Sequence, residues 1–318
     1  MSTVNQPGWI RRTVLSIDDR FETFKDRYAL GCLRYSLAMV FFWFGIIKPL
    51  GMTPATMLVR ETLSATPLLR AAVPFSIFIS VLGWWEAVVG LGLLSRRTIH
   101  LAVGCMMVQM AATFVPLLVV PEVTFHSAPL VPTTPGFYVI KNFVLLSGGL
   151  VVASSYGGPG RQQGWNRPGL AAYARRAWEV TAPTPLGRLQ RTSPRLLRAG
   201  LCLVFLWAGM LTLSGTGEMA GWIVTTVHPL AAPAVLIPLI GVLELSIGLC
   251  LLAERTTATA AYLVVVYLLL SLLPLLLRPS LVSNSTPIAV SFEGAYLIKD
   301  WVLVSAVLVL ARPRGRPP

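Results

Sequence analysis

Nine polar or charged residues stand inside or at the rims of long apolar runs: Arg34, Lys48, Glu86, Lys141, Asn142, Arg198, Glu244, Lys299 and Asp300. Glu86 lies within "LGWWEAVVGLGLL" (82–94) and Glu244 within "IGVLELSIGLCLL" (240–252). Lys141-Asn142 and Lys299-Asp300 open "YVIKNFVLLSGGLVV" and "YLIKDWVLVSAVLVL". Ionisable groups in such surroundings are costly, face the interior of a helix bundle and have partners. They can fix helix register, line a path for an ion or small molecule, or hold a ligand. Soluble-enzyme chemistry is not on offer, because the chain has no phosphate-binding glycine loop, GxSxG, HExxH or CxxC. His100, His126 and His228 are scattered without metal-ligand spacing, so no metal site is expected.

The elements that position these residues are membrane helices. The chain has 318 residues, 55% hydrophobic and 12% charged, with mean hydropathy +0.70. Soluble domains carry about 25% charge. Eight runs approach the ~20 residues of a spanning helix. They cover 30–50, 73–94, 98–120, 138–155, 197–215, 233–253, 257–277 and 295–311. The net charge of +13 is sorted by topology, which argues against nucleic-acid binding. Of 26 Lys and Arg, 20 lie in five segments: up to Arg34, at 96–97, at 161–198, at Arg255 and after residue 311. The positive-inside rule then places both termini and the linker 156–196 at the cytoplasmic face of a bacterial plasma membrane. No cleavable signal sequence is read at the start. Within 1–29, Ile10, Val14, Ile17, Phe21, Phe24 and Tyr28 have the spacing of an amphipathic helix lying on that face. Cys32, Cys105, Cys202 and Cys250 read as small buried hydrophobes. The sequon at Asn284 reads as coincidence.

The chain repeats itself. At offset 158 the two glutamate runs align, Pro129 aligns with Pro287, and "GFYVIKNFVLLS" matches "GAYLIKDWVLVS" at seven of twelve positions. Near the start the offset is 164, pairing Arg34 with Arg198 and "VFFWFG" with "VFLWAG". The six-residue difference falls between the first and second helices of each copy. An all-α protein of two tandem four-helix units follows, 30–155 and 197–311. Four is even, so the units are parallel repeats. A Gly/Pro-rich linker joins them, and a basic tail, 312–318, ends the chain. Pro116 and Pro274 are expected to kink or end the third helix of each unit. Trp84, Trp85 and Phe41–Phe44 are expected in the core or against lipid.

Depth arithmetic suggests partners. At ~1.5 Å per residue, Glu86 lies roughly 12 Å and Arg34 roughly 6 Å from the cytoplasmic face. The expected ion pairs are therefore Arg34–Glu86 and Arg198–Glu244. Lys141 is separated from Glu86 by on the order of 15 Å. It and Lys299 are expected to snorkel to the outer headgroups or line an outward-facing cavity. Lys48 ends the first helix and is expected to reach outward too. Gly90 and Gly248, one turn after each glutamate, allow close helix approach. They suit packing as well as a site.

The residues "LRYSLAMVFFWFGIIKPLG", "GWWEAVVGLGLL", "PLL..PEVTF" and "GFYVIKNFVLLSGGLVV" resemble the DoxX superfamily of four-helix membrane proteins, and within it the YkgB/RclC-like group. That group's first-helix Arg and W-x-G-x-x-K motif match Arg34 and Trp43 to Lys48, its glutamate Glu86, and its Lys-Asp pair Lys141-Asn142. The second copy keeps Lys299-Asp300 but has Thr212 where a second Lys48 would stand. The resemblance implies a membrane component of a redox or oxidative-stress-defence system. Such a subunit would sit near a quinone or bind a soluble redox partner at the cytoplasmic face. A small-molecule or ion carrier and a non-catalytic scaffold are the other readings. No catalytic residue or further cofactor is implied.

Overall fold

The computed structural model describes residues 8–156, 185–216, 226, 233–282 and 289–311. Most of the linker lies outside these residues, as do the tail 312–318 and Asn284. The first half forms α1 (Gly8–Ile47), α2 (Thr56–Ser64), α3 (Pro67–Ala72), α4 (Phe75–Leu94), α5 (Ile99–Ala112), α6 (Val115–Val119) and α7 (Pro121–Thr124). A small antiparallel hairpin, β1 (Phe125–Ser127) with β2 (Val131–Pro132), leads to α8 (Thr134–Ile140) and α9 (Asn142–Tyr156). The second half contains α10 (Pro185–Leu213), α11 (Pro233–Leu252), α12 (Thr257–Ser271), α13 (Leu273–Leu277), α14 (Pro279–Val282) and α15 (Phe292–Leu310).

Among the described residues seven helical segments are long and apolar enough to cross a membrane. The chain is a mostly helical, multi-pass membrane protein. The run expected as an eighth span is also helical, as α15, but its 19 residues include Glu293, Lys299 and Asp300. Large apolar side chains such as Trp84, Val88, Val108, Leu239 and Leu269 are exposed around the outside, suited to lipid contact. Trp85 is exposed too, whereas Phe41 and Phe44 lie in the core. Cys105, Cys202 and Cys250 join the apolar core or its edge, and all four thiols are free.

Local chemistry explains the helix ends. Gly51 and Gly215 follow α1 and α10 with φ of 70° and 74°. That left-handed conformation closes a helix C-terminus and suits glycine. The i−4 residue of Pro116 is Ala112, the last residue of α5, and α12 stops at Ser271, three before Pro274. A proline ring clashes with the i−4 carbonyl, so both third helices break just upstream of it. The amphipathic N-terminal segment is helical over its described residues. It continues unbroken into the first span as one helix, and its Phe21 ring lies 4.7 Å from the Tyr262 ring of α12.

Two antiparallel pairs, α1 with α4 and α10 with α11, pack backbone to backbone through glycines. A Cβ built on Gly90 would lie 2.8 Å from the Ala38 carbonyl oxygen and 2.8 Å from Phe42 Cα. The Gly90→Ala substitution must separate these helices, and a loss of about 1–3 kcal/mol is expected. Gly104→Ala is the control, because nothing lies within 4 Å of the added carbon. A Gly90→Ala protein that unfolds at the wild-type midpoint would contradict this close contact.

Two further large contacts cross between halves. α9 packs on α10, and α15 packs on α1, so the last helix of each half lies on the first helix of the other. One continuous apolar core results. The fourth span, Thr134–Tyr156, is 78% buried against 33% for the third, so Lys141 is on the most interior helix.

Candidate functional site

Side-chain direction decides the partners. In a helix each Cα–Cβ bond tilts toward the N-terminus. Lys48 follows the last residue of α1 and therefore swings back along it, where its Nζ donates to the Phe44 carbonyl at 3.3 Å and pairs with Glu86. α4 runs antiparallel, so Glu86 tilts toward the same level. Its second oxygen accepts from Gln109 Nε2 of α5. Lysine, glutamate and glutamine form one buried cluster.

The two arginine–glutamate pairs expected from depth are not formed. Arg34 also tilts toward the N-terminus of α1, which carries it away from Glu86, and its Nη2 donates to the Leu94 carbonyl at 3.2 Å and the Tyr35 hydroxyl at 2.9 Å. The guanidinium carbon lies 4.6 Å from the Tyr35 ring centre and 5.3 Å from that of Tyr156. Arg198 Nη1 donates to the Leu251 carbonyl at 2.9 Å and to Thr257 Oγ1 at 2.7 Å. Both arginines thus satisfy carbonyls at the end of the neighbouring helix, where positive charge is favoured. Glu244 instead accepts from Thr212 Oγ1 at 2.9 Å, in the second half's version of the Lys48 position.

Lys48, Lys141 and Lys299 do not snorkel outward. The latter two are exchanged between halves. Lys141 Nζ donates to Asp300 Oδ1 at 2.8 Å and lies 4.5 Å from the centre of the Tyr296 ring. Lys299 Nζ donates to Asn142 Oδ1 at 2.7 Å and to the Tyr138 carbonyl at 2.9 Å, with its nitrogen 3.1 Å from the Tyr138 ring centre. The two contacts mirror each other except in charge. Lys141 meets a carboxylate, while Lys299 meets an amide and pairs with no carboxylate among the described residues. All four side chains are buried. Asn142 is held by its Nδ2, which donates to Thr113 Oγ1 at 3.0 Å.

These groups converge on a cavity of ≈ 240 Å³ in the first half. Its lining includes the polar side chains of Lys48, Glu86, Gln109, Tyr138, Asn142 and Lys299. Its apolar lining includes Leu58 and Leu63 from α2 and Phe78 and Leu82 from α4. α2 occupies the connection that is six residues longer than its counterpart. At the matching position in the second half, Tyr267 replaces Gln109, and its hydroxyl donates to Asp300 Oδ2 at 3.5 Å.

Of the nine residues singled out from sequence, Lys48, Glu86, Asn142 and Lys299 line the cavity. Lys141 and Asp300 form the neighbouring ion pair, and Glu244 binds Thr212. Arg34 and Arg198 make the contacts at helix ends described above. Gln109, Thr113, Tyr138 and Tyr267 escaped sequence reading. Gln109 carried a usable signal, as an amide in the middle of an apolar span. No protein-family model, curated protein or solved structure matches this chain.

Proposed function

We propose that this chain is a membrane component of a redox or oxidative-stress-defence system, of the DoxX kind and near the YkgB/RclC-like group. In this reading eight spans form two parallel four-helix units, with both termini on the cytoplasmic side of a bacterial plasma membrane. The observation that carries the proposal is the cavity. It is lined mainly by apolar side chains together with buried hydrogen-bonding groups, the usual construction of a small-molecule site. The aromatic rings of Phe44 and Tyr138 and the ammonium groups of Lys48 and Lys299 suit a flat ring bearing carbonyl oxygens, such as a quinone headgroup. When bound, a quinone would supply electron-accepting chemistry. The protein's own residues would position the ring and keep water from it. The basic linker offers a surface for a soluble redox partner at the cytoplasmic face.

The test is to purify the protein in mild detergent, extract it and quantify quinone per chain, then to titrate a short-chain quinone against the thermal midpoint. Near-stoichiometric quinone or a saturable rise is expected. Thr62→Trp, which fills the cavity from α2, should remove the response. No quinone in the extract together with an unmoved midpoint would overturn the quinone assignment.

A further inference from the structure

Three formally charged side chains line the cavity: Lys48, Glu86 and Lys299. Lys48 and Glu86 neutralise one another, which leaves one formal positive charge, on Lys299. An ammonium has three N–H donors. Two go to the Asn142 amide oxygen and the Tyr138 carbonyl, both neutral, and the nitrogen also lies 3.1 Å from the centre of the Tyr138 ring. Its mirror-image partner Lys141 has a carboxylate at the same place. Buried charges are normally compensated, and an anion in the cavity would supply the negative charge that these neutral partners lack. The cavity is where Lys299 can meet it.

We propose that the cavity takes a monoanionic amphiphile, a carboxylate or enolate on an apolar body, and that Lys299 anchors its headgroup. This rests on the cavity being a ligand site, but not on the ligand being a quinone. The second half of the chain supplies the anchor for a cavity in the first. The second half's own version holds Thr212 for Lys48 and Tyr267 for Gln109, and its Asp300 is already engaged by Lys141. One occupant per chain is therefore expected, not two.

Decanoate and decanol differ only in the headgroup and make suitable probes. Each is equilibrated, at a pH where the acid is ionised, with phosphatidylcholine nanodiscs containing or lacking the protein. The excess held per chain is then measured. A charged hydrogen bond of the usual strength makes the acid bind at least about tenfold more tightly than the alcohol. Asn142→Asp places in the first half the carboxylate that the second half has. It should raise the thermal midpoint by pairing Lys299 internally and reduce the preference for the acid to near one. Lys299→Met should also erase that preference. Equal binding of acid and alcohol by the wild type would overturn the anionic assignment while leaving a ligand cavity in place. A full preference for the acid in folded Asn142→Asp protein would overturn the role of Lys299. If neither probe nor a short-chain quinone binds, the cavity is not a ligand site and both proposals fall.

Discussion

Replacing Asp300 by Asn is expected to cost about 3–5 kcal/mol of stability, the usual penalty for leaving one member of a buried ion pair without its partner. Lys141 is 1% exposed and Asp300 is fully buried, with nitrogen and oxygen 2.8 Å apart. Water cannot take over the role of the lost charge at such a site. The ring of Tyr296 at 4.5 Å offsets only part of the loss, since a cation–π contact contributes about 2 kcal/mol when desolvated. The measurement is the unfolding midpoint in mixed micelles. Asp300→Asn with Lys141→Met should recover most of the loss, because the double variant leaves no charge stranded. Wild-type stability in Asp300→Asn alone would mean that Lys141 is not charged and buried as the structure has it.

Glu86→Gln is expected to produce the second large loss, about 3 kcal/mol or more. It strands Lys48 and weakens the acceptor that Gln109 uses. The choice of second substitution identifies the partner. Glu86→Gln with Lys48→Met should regain stability, whereas Glu86→Gln with Arg34→Met should not, since Arg34 bonds to the end of α4. Glu244→Gln provides the contrast. Glu244 has a hydroxyl partner in Thr212, so its loss is closer to that of one hydrogen bond, about 0.5–1.5 kcal/mol. Equal losses at the two glutamates would contradict this difference.

The helices, their breaks at the prolines and the special status of the repeated charges were legible in the sequence. Apolar run length and Gly/Pro chemistry are local properties, so sequence carries them directly. Partner choice was not legible from depth alone. Residue counting along an axis places a Cα, but Arg34 and Lys48 reach in a direction set by the tilt of Cα–Cβ bonds. Adding that tilt favours Lys48 as the partner of Glu86. The exchange of Lys141 and Lys299 between halves was harder to see. It depends on α15 lying on α1 and α9 on α10, a long-range arrangement that no periodicity encodes. The repeat did contain one clue in Asn142 against Asp300, the position where the lysines differ in partner.

That difference has a consequence for ancestry. Two identical four-helix subunits related by a two-fold axis would make the same reciprocal contact twice, because a self-complementary interface repeats every residue pair. With aspartate at this position such a dimer would close both lysines. With asparagine it would bury two uncompensated cations. Neither homodimer can combine a locked pair with an open one. In the proposed two-unit reading, joining the copies in one chain would free the two positions to mutate independently. One lysine can then be committed to stability through Asp300, leaving the other beside Asn142 for a separate task.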